Sequence, residues 1–544
     1  MIGRTTLPSS DHRALAQPAP TRPQVARRAG RLLALLALGS LFVGQVAAQV
    51  LNVTVADPYI IDPTANWLYD VPANMFVTLV GYDFLAGEVT PAGADSWSVS
   101  ADGTVYTFHI REGWNWSDGT PVTANDFVNS FRRIVDPAVA APMSYRVYII
   151  KGAQAINQGE TTDLSTLGVT AVDDRTLTIE LVAPASWFLS SLGSIGHSVP
   201  QWVIDQHGTD WTLPQNIVVN GPYKLTRLDP EDLAVLEANP SYYDADSVAI
   251  KTVNLYVVAQ ESTAMAMYEE GSLHTVNVPA TDLNRVRADP VLSAEYYNGP
   301  QNILYYYDFN VLRAPFDNVL VRQAFAAAID KQGIVNFITM GGEVPAPTLT
   351  PPGSVGHVPP AAGIGIPHDP EGARALLAQA GYPGGQGLPT ISLAFNAGET
   401  NSRIAQAVQQ MWQQTLGATV ELQAVEGAAY SQIAADGAFN VWRMGWGMDY
   451  PDANNIHAEL FTSDVGAAAI VRNAEYDRLI AEAAIEQDPD RRQAMYEAAE
   501  RILVQDEAGV VPIYWYAENL LVKPALNRVL APSFNREFWK WSFK

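Results

Sequence analysis

The sequence predicts an α/β chain made of several interleaved domains, and three observations predict it. Strands and helices alternate through the C-terminal half. A stretch of strands and turns precedes them, from Leu51 to about Leu181. The chain is also long and apolar: 544 residues, 48% hydrophobic and only 17% charged, with no internal repeat and no low-complexity linker. That length gives roughly two to four domains with ample core, and the composition excludes a disordered chain.

The elements follow in chain order. Residues 1–48 hold six Arg, no Lys and one Asp, and close on an apolar run, Leu32 to Val43, followed by Val46-Ala47-Ala48. A basic stretch, a short apolar segment and small residues at a cleavage point predict a secretory signal removed near Ala48. The run is too short to span a bilayer comfortably. Arg27-Arg28 leaves both general and twin-arginine export open. Tyr106, Phe108 and Ile110 alternate with Val105, Thr107, His109 and Arg111, the period of a half-buried strand, between the turn pairs Asp102-Gly103 and Asp118-Gly119. Phe127, Phe131 and Ile134 then mark a helix with Thr123 as N-cap, Asp126 at its positive end and Asp136-Pro137 as its stop.

Further on, Ile391, Leu393 and Phe395 predict a strand, and Ile404, Val408, Met411 and Trp412 a helix closed by Gly417. Val420, Leu422 and Ala424 predict a second strand, which completes a βαβ crossover. Two amphipathic helices are expected at Tyr476–Ile485 and Arg491–Leu503, the latter started by Asp490, and a strand or hinge at 510–516.

Charge and composition narrow the function. The formal net charge is −24, from 33 basic and 57 acidic residues, and the chain without its leader has 27 basic and 56 acidic residues. A phosphate-tracking surface needs a basic field, so nucleic acid is not an expected partner. There is no cysteine, which excludes disulfides, thiolate metal sites, thiol catalysis and attachment to lipid through an N-terminal Cys. The eight His form no HExxH-type spacing, and neither a GxSxG elbow nor a phosphate loop occurs. Gly363-Ile364-Gly365 and Gly385-Gln386-Gly387 lack the third glycine of a dinucleotide site. Acidic pairs such as Asp449 and Asp452 do not rise above the background of so many carboxylates. No catalytic residue, metal or cofactor is expected.

Aromatic residues do rise above background, with 13 Trp, 23 Tyr and 17 Phe. They supply large rigid contact area, which suits either a binding cleft or ordinary packing. Two clusters stand out: Tyr305-Tyr306-Tyr307, and Arg443-Met444-Gly445-Trp446-Gly447-Met448-Asp449-Tyr450. In the second, charges of opposite sign flank a glycine-rich aromatic segment, an arrangement suited to the two ends of a zwitterion.

The segment Gly113-Trp114-Asn115-Trp116-Ser117-Asp118-Gly119-Thr120-Pro121-Val122-Thr123-Ala124-Asn125-Asp126-Phe127 resembles the signature of the oligopeptide- and dipeptide-binding proteins of ABC importers, solute-binding protein family 5. The resemblance continues in order through Asn220-Gly221-Pro222-Tyr223, Asn239-Pro240-Ser241-Tyr242-Tyr243, Tyr305 to Asn310, Pro315-Phe316-Asp317, Val321-Arg322, Gly445-Trp446 and Asp449-Tyr450. It implies an α/β, two-lobed periplasmic-binding-protein-like clamp of class II type with an additional β-rich domain. The implied division is a signal peptide over 1–48, lobe I from 49–81, 205–304 and 516–544, the β-rich domain over 82–204, and lobe II over 305–515.

The resemblance also implies site residues. The carboxylate that holds a ligand amine falls on Asp449, an arginine for a peptide carboxylate on Arg443, and a pocket-lining tryptophan on Trp446. Gly445–Gly447 is expected to pair with the ligand backbone by β-strand addition, with Tyr69, Asp70 and Val71 along its other side. Three positions depart from the family: Met143 stands where a tyrosine is usual, Asn401 in place of a histidine and Gly427 in place of a tryptophan.

The implied function is an exported, monomeric receptor that captures short peptides by hinge closure and delivers them to an ABC permease, with no membrane insertion once the signal is removed. A non-peptide solute in the same fold (a sugar, a metal complex or a glutathione-like compound) is the alternative. An exported hydrolase using a carboxylate pair is a weaker one.

Overall fold

The computed structural model describes residues 49–55, 61–65, 70–426, 429–430, 437–463, 470–530, 532 and 536–544. The expected signal segment, Tyr69 and Gly427 lie outside the described residues.

Val50–Val55 buries every second side chain (Leu51, Val53 and Val55) and pairs in parallel with Thr252–Val257. Leu233–Ala238 and Tyr223–Asp229 add antiparallel beyond it to make a four-stranded sheet. A second four-stranded sheet is wholly antiparallel, in the order Ala94–Val99, Val105–Ile110, Thr176–Glu180, Val169–Ala171. Its second strand turns Tyr106, Phe108 and Ile110 inward, as the alternation requires. Against it packs the helix Ala124–Val135 through Phe127, Phe131 and Ile134. The carboxylate of Asp126 accepts the Thr123 N–H at 2.8 Å and closes the first turn.

These two sheets share one continuous apolar core. The signature segment 113–127 ties them together. Trp114 Nε1 donates to the Asn220 carbonyl at 2.9 Å, and Trp116 Nε1 donates to Asp126 Oδ2 at 3.3 Å. A Cβ on Gly221 would stand 2.5 Å from the Met75 backbone, so the close approach there admits only glycine. These motif residues hold the fold together and line no ligand surface directly.

The third sheet has seven strands. Its main path runs Thr275–Asn277, Val510–Val522, Tyr296–Phe309, Val441–Gly447, Ile391–Asn396, Val420–Val425, and Val344–Pro345 pairs on the side with Val510–Val522. The tyrosine triplet alternates across it. Tyr305 and Tyr307 enter one core and Tyr306 the other, all wholly buried. The crossover forms as its periodicity predicts, with Ile404, Val408 and Trp412 of helix Glu399–Leu416 buried and Gly417 capping at φ +70°. Helix Ala474–Ile485 is capped by Asn473. Helix Pro489–Arg501 begins earlier than Asp490 would set it, because the Asp488 side chain accepts the Arg491 N–H and Pro489 takes the first helical position. Residues 510–516 are the first half of a 13-residue strand, Val510–Val522.

Candidate functional site

The strand Val441–Gly447 carries the site. Along one edge it pairs over its whole length with 303–309 of Tyr296–Phe309. Along the other it meets Ile391–Asn396 only at Val441 and Trp442. The Tyr430 hydroxyl donates to the Arg443 carbonyl, which leaves Met444–Gly447 with no pairing strand on that edge among the described residues. A strand edge that no neighbouring strand covers is a template for an incoming extended chain.

Arg443, on this strand, is half-buried. Its Nη1 donates to Asn396 Oδ1 at 2.9 Å and its Nη2 to the Tyr516 hydroxyl at 2.6 Å, and its guanidinium lies 4.4 Å from the centre of the Tyr305 ring. Gly445 makes this possible, since a Cβ there would lie 2.9 Å from Arg443 Nη2. Its Nε has no hydrogen-bond partner, and no carboxylate pairs with it among the described residues. A partly enclosed cation without a counter-charge can accept a negative group from the cavity. Arg443 borders a cavity of about 700 Å³, together with Asn277, Gln260, Tyr514 and Tyr516. Asn401 borders the same cavity from the first turn of its helix and donates to Asn396 O at 3.0 Å and Oδ1 at 3.2 Å. Asn396 thus joins Arg443 to Asn401.

Asp449 borders a different cavity, about 180 Å³, walled by Phe76, Tyr82, His197, Tyr242 and Trp539. The helix Ala453–Leu460 sets its position. Asp452 caps that helix and is clamped by both Nη atoms of Arg492 at 2.7 Å each. Asn455 then accepts from Trp446 Nε1 at 2.9 Å and from the Asp449 N–H at 3.1 Å, and its amide reaches Asp449 Oδ2 at 3.4 Å. Trp446 and Asp449 are therefore aligned by one amide. Behind them, Arg146 Nη1 lies 3.8 Å from Asp449 Oδ1, and Arg146 Nε lies 3.5 Å from Glu459 Oε1. Arg443 and Asp449 thus border two different cavities.

Three of the expected site residues are turned inward or already engaged by the protein. Val71 is wholly buried in the apolar core from the short helix Asp70–Ala73, so its side chain faces no ligand. Asp70 is engaged by Arg536, whose backbone N–H and Nε both donate to its carboxylate at 2.7 Å. Met143 is buried in the same core as Val71, at the start of the turn Ser144–Val147. Sequence reasoning missed Asn396, Asn455, Tyr516, Arg146 and Glu459. The i, i+4 spacing of Asn455 and Glu459 on a helix that follows Asp449 was the one available signal. Among the described residues no group of three or more His, Asp or Glu gathers as a metal site, and no helix is long and apolar enough to cross a membrane.

Comparison with known proteins supplies a family. The sequence model of the bacterial extracellular solute-binding proteins, family 5 (middle region), matches residues 88–467. The periplasmic oligopeptide-binding protein OppA of Escherichia coli K12 is 34% identical over 478 residues, covering 86% of each chain. An oligopeptide-binding protein of Borrelia burgdorferi, OppAIV, superposes with a TM-score of 0.82 at 28% identity, over 91% of this chain and 100% of that one. The murein tripeptide-binding protein MppA of E. coli superposes at 0.81 and 32% identity, over 91% of this chain and 98% of that one. Its unliganded open form, at the same coverages, reaches only 0.71.

Proposed function

The chain belongs to the bacterial extracellular solute-binding proteins of family 5, two-lobed α/β clamps with an added β-rich domain, and from that premise we propose that it receives short peptides for an ABC permease. The peptide lies extended along the Met444–Gly447 edge, with its ammonium toward Asp449 and its carboxylate end toward Arg443. The observation that carries the reading is that edge, which no strand covers beyond Trp442 among the described residues, lying between the half-buried Arg443, which no carboxylate pairs there, and Asp449. Backbone pairing gives affinity for any sequence, and the two cavities receive side chains.

In this reading 49–81, 205–304 and 516–544 form lobe I, 82–204 the β-rich domain and 305–515 lobe II, and residues 1–48 direct export and are removed near Ala48. Tyr296–Phe309 and Val510–Val522 cross between lobes, and the register of their pairing shifts at Pro300/Leu304 and at Tyr305/Tyr306, which are natural hinge points. The lower TM-score against an open form supports a closed arrangement of the lobes. The protein acts as a monomer and returns its ligand unaltered.

Mass spectrometry of the protein purified under native conditions tests the proposal. Co-purifying short peptides, recovered intact after incubation, are the expected result. A sugar, a metal complex or hydrolysed peptides would overturn it.

A further inference from the structure

The surroundings of Asp449 hold more charge than an amine site needs. Arg146 is fully enclosed, and its Nη2 donates to Ser194 Oγ at 2.6 Å. Its Nε and Nη1 have no hydrogen-bond partner among the described residues and face two carboxylates instead. These are Asp449, at 3.8 Å, and Glu459, at 3.5 Å. All three side chains are shut away from solvent, at 1%, 9% and 5% exposed. One guanidinium balances one carboxylate. Two carboxylates around it leave one negative charge in excess, which favours the neutral form of the more deeply enclosed Glu459.

Every element around Glu459 is accounted for. The turn Ser144–Val147 brings Arg146 and Tyr145, whose hydroxyl donates to Glu459 Oε2 at 3.3 Å. The segment after Val441–Gly447 brings Asp449 and Tyr450, whose hydroxyl donates to Glu459 Oε1 at 3.1 Å. His197 stands beyond Arg146 and adds no charge, because burial and the Arg146 guanidinium drive it down to about 3. On its own helix Glu459 meets only the neutral Asn455. Burial pushes the Glu459 carboxyl up to about 8, with the Arg146 charge opposing that rise and the Asp449 charge adding to it. Asp449 borders the 180 Å³ cavity, whereas Glu459 sits behind it, so the ligand meets Asp449 and the proton resides on Glu459.

Resting on the peptide reading, we propose that Arg146 and Glu459 make the Asp449 site an exchanger of one cation for one proton, in which a ligand ammonium enters beside Asp449 as a proton leaves Glu459 for solvent. The second positive charge restores balance with two ionised carboxylates. The site thereby selects a ligand that carries a full positive charge at this end, and a ligand without one leaves Glu459 protonated.

Calorimetric titration of trialanine at pH 6.5, in buffers of different ionisation enthalpy, counts the proton. The wild type should release about one proton per peptide, and Glu459→Gln, which keeps the shape and an acceptor for one tyrosine hydroxyl, about none. Trialanine binding with no proton released by the wild type would overturn the exchange and leave the peptide reading standing. A second measurement needs no ligand: carbon-13 NMR of labelled glutamate side chains. One carboxyl titrating near 8, and absent from Glu459→Gln, supports the charge arrangement even where trialanine fails to bind, an outcome that would sink only the peptide reading. All glutamates titrating below about 6 would overturn the exchange outright.

Discussion

At its two ends the strand Val441–Gly447 keeps its charges in opposite ways. Arg443 is half-buried among neutral partners, the Asn396 amide and the Tyr516 hydroxyl, beside a cavity of about 700 Å³. Asp449, at the edge of a cavity of about 180 Å³, already has a cation behind it and a second carboxyl beyond that. The first end awaits a counter-charge, and the second holds a balanced set that a ligand must rearrange. Sign alone therefore does not describe a binding subsite. What matters is whether the protein has already satisfied the charge.

The largest expected difference is in stability without ligand. Arg146→Met leaves buried carboxylates without their cation and should cost about 3–5 kcal/mol in urea denaturation at pH 8. Arg443→Met removes a charge that nothing compensates and gives up two hydrogen bonds to neutral groups, so stability should stay within about 1 kcal/mol. Equal losses would erase the contrast between the ends.

Next in size is the ligand amine. Asp449→Asn should weaken trialanine binding by about 2–5 kcal/mol, since the ammonium then faces Arg146 with less to balance it. N-acetyl-trialanine should lose a similar amount on the wild type and much less on the variant, because the same contact is already gone. Additive losses in a calorimetric cycle would place the amine elsewhere.

Glu459 gives a smaller effect with a definite sign. A carboxyl raised from 4.5 to about 8 contributes stability that is complete below 4.5 and is lost as pH rises toward 8. His197, driven down to about 3 by burial and the Arg146 charge, acts the other way, and only below its ordinary 6.5. Lys331, lowered to about 7 by burial, raises stability as pH climbs above that value. Between pH 6.5 and 8, therefore, the difference between wild type and Glu459→Gln isolates Glu459, and the wild type should lose about 1.5 kcal/mol more than the variant. Parallel melting curves for the two proteins across that window would refute it.

Much of this molecule is legible in its sequence, for reasons that differ by region. Local periodicity predicts the strand of Tyr106, Phe108 and Ile110, the crossover through Ile404 and Trp412, and the capped helix after Thr123, because each depends on neighbours a few residues away. Asp488, not Asp490, caps the helix Pro489–Arg501, since either side chain suits a first turn and Pro489 decides between them. Family resemblance brings out Arg443, Trp446 and Asp449. Neither route reaches Arg146, because its partners lie more than 300 residues away and its meaning comes from the packing of the turn Ser144–Val147 against the helix Ala453–Leu460. Met143, three residues earlier, drew attention because it stands where the family has a tyrosine, and its side chain is buried in the core.

The smallest effect separates the ends by their response to salt. Besides Arg443, the larger cavity is bordered by Glu261 and Glu399, both exposed and without an ion-pair partner among the described residues. Asp282, Glu518 and Glu343 border it too, but Arg285 and Arg528 hold the first two, and Glu343 accepts from the Thr339 hydroxyl and the Gly341 N–H. Two free carboxylates at an open rim favour a basic side chain near the ligand's carboxylate end. Exposed pairs are worth about 0.2–1 kcal/mol, so Ala-Ala-Lys should bind up to about five-fold more tightly than trialanine at low ionic strength. At about 1 M salt the screening length falls to about 3 Å and that preference should vanish, as it should at any salt in the Glu261→Gln, Glu399→Gln double variant. The penalty for N-acetylation belongs to the enclosed Asp449 end and should survive the same change of salt, because buried pairs are screened far less. A preference for lysine that ignores salt would move its partner into the buried interior. An acetylation penalty that disappears with salt would instead put the amine at the rim, and the two ends of the strand would then differ only in sign.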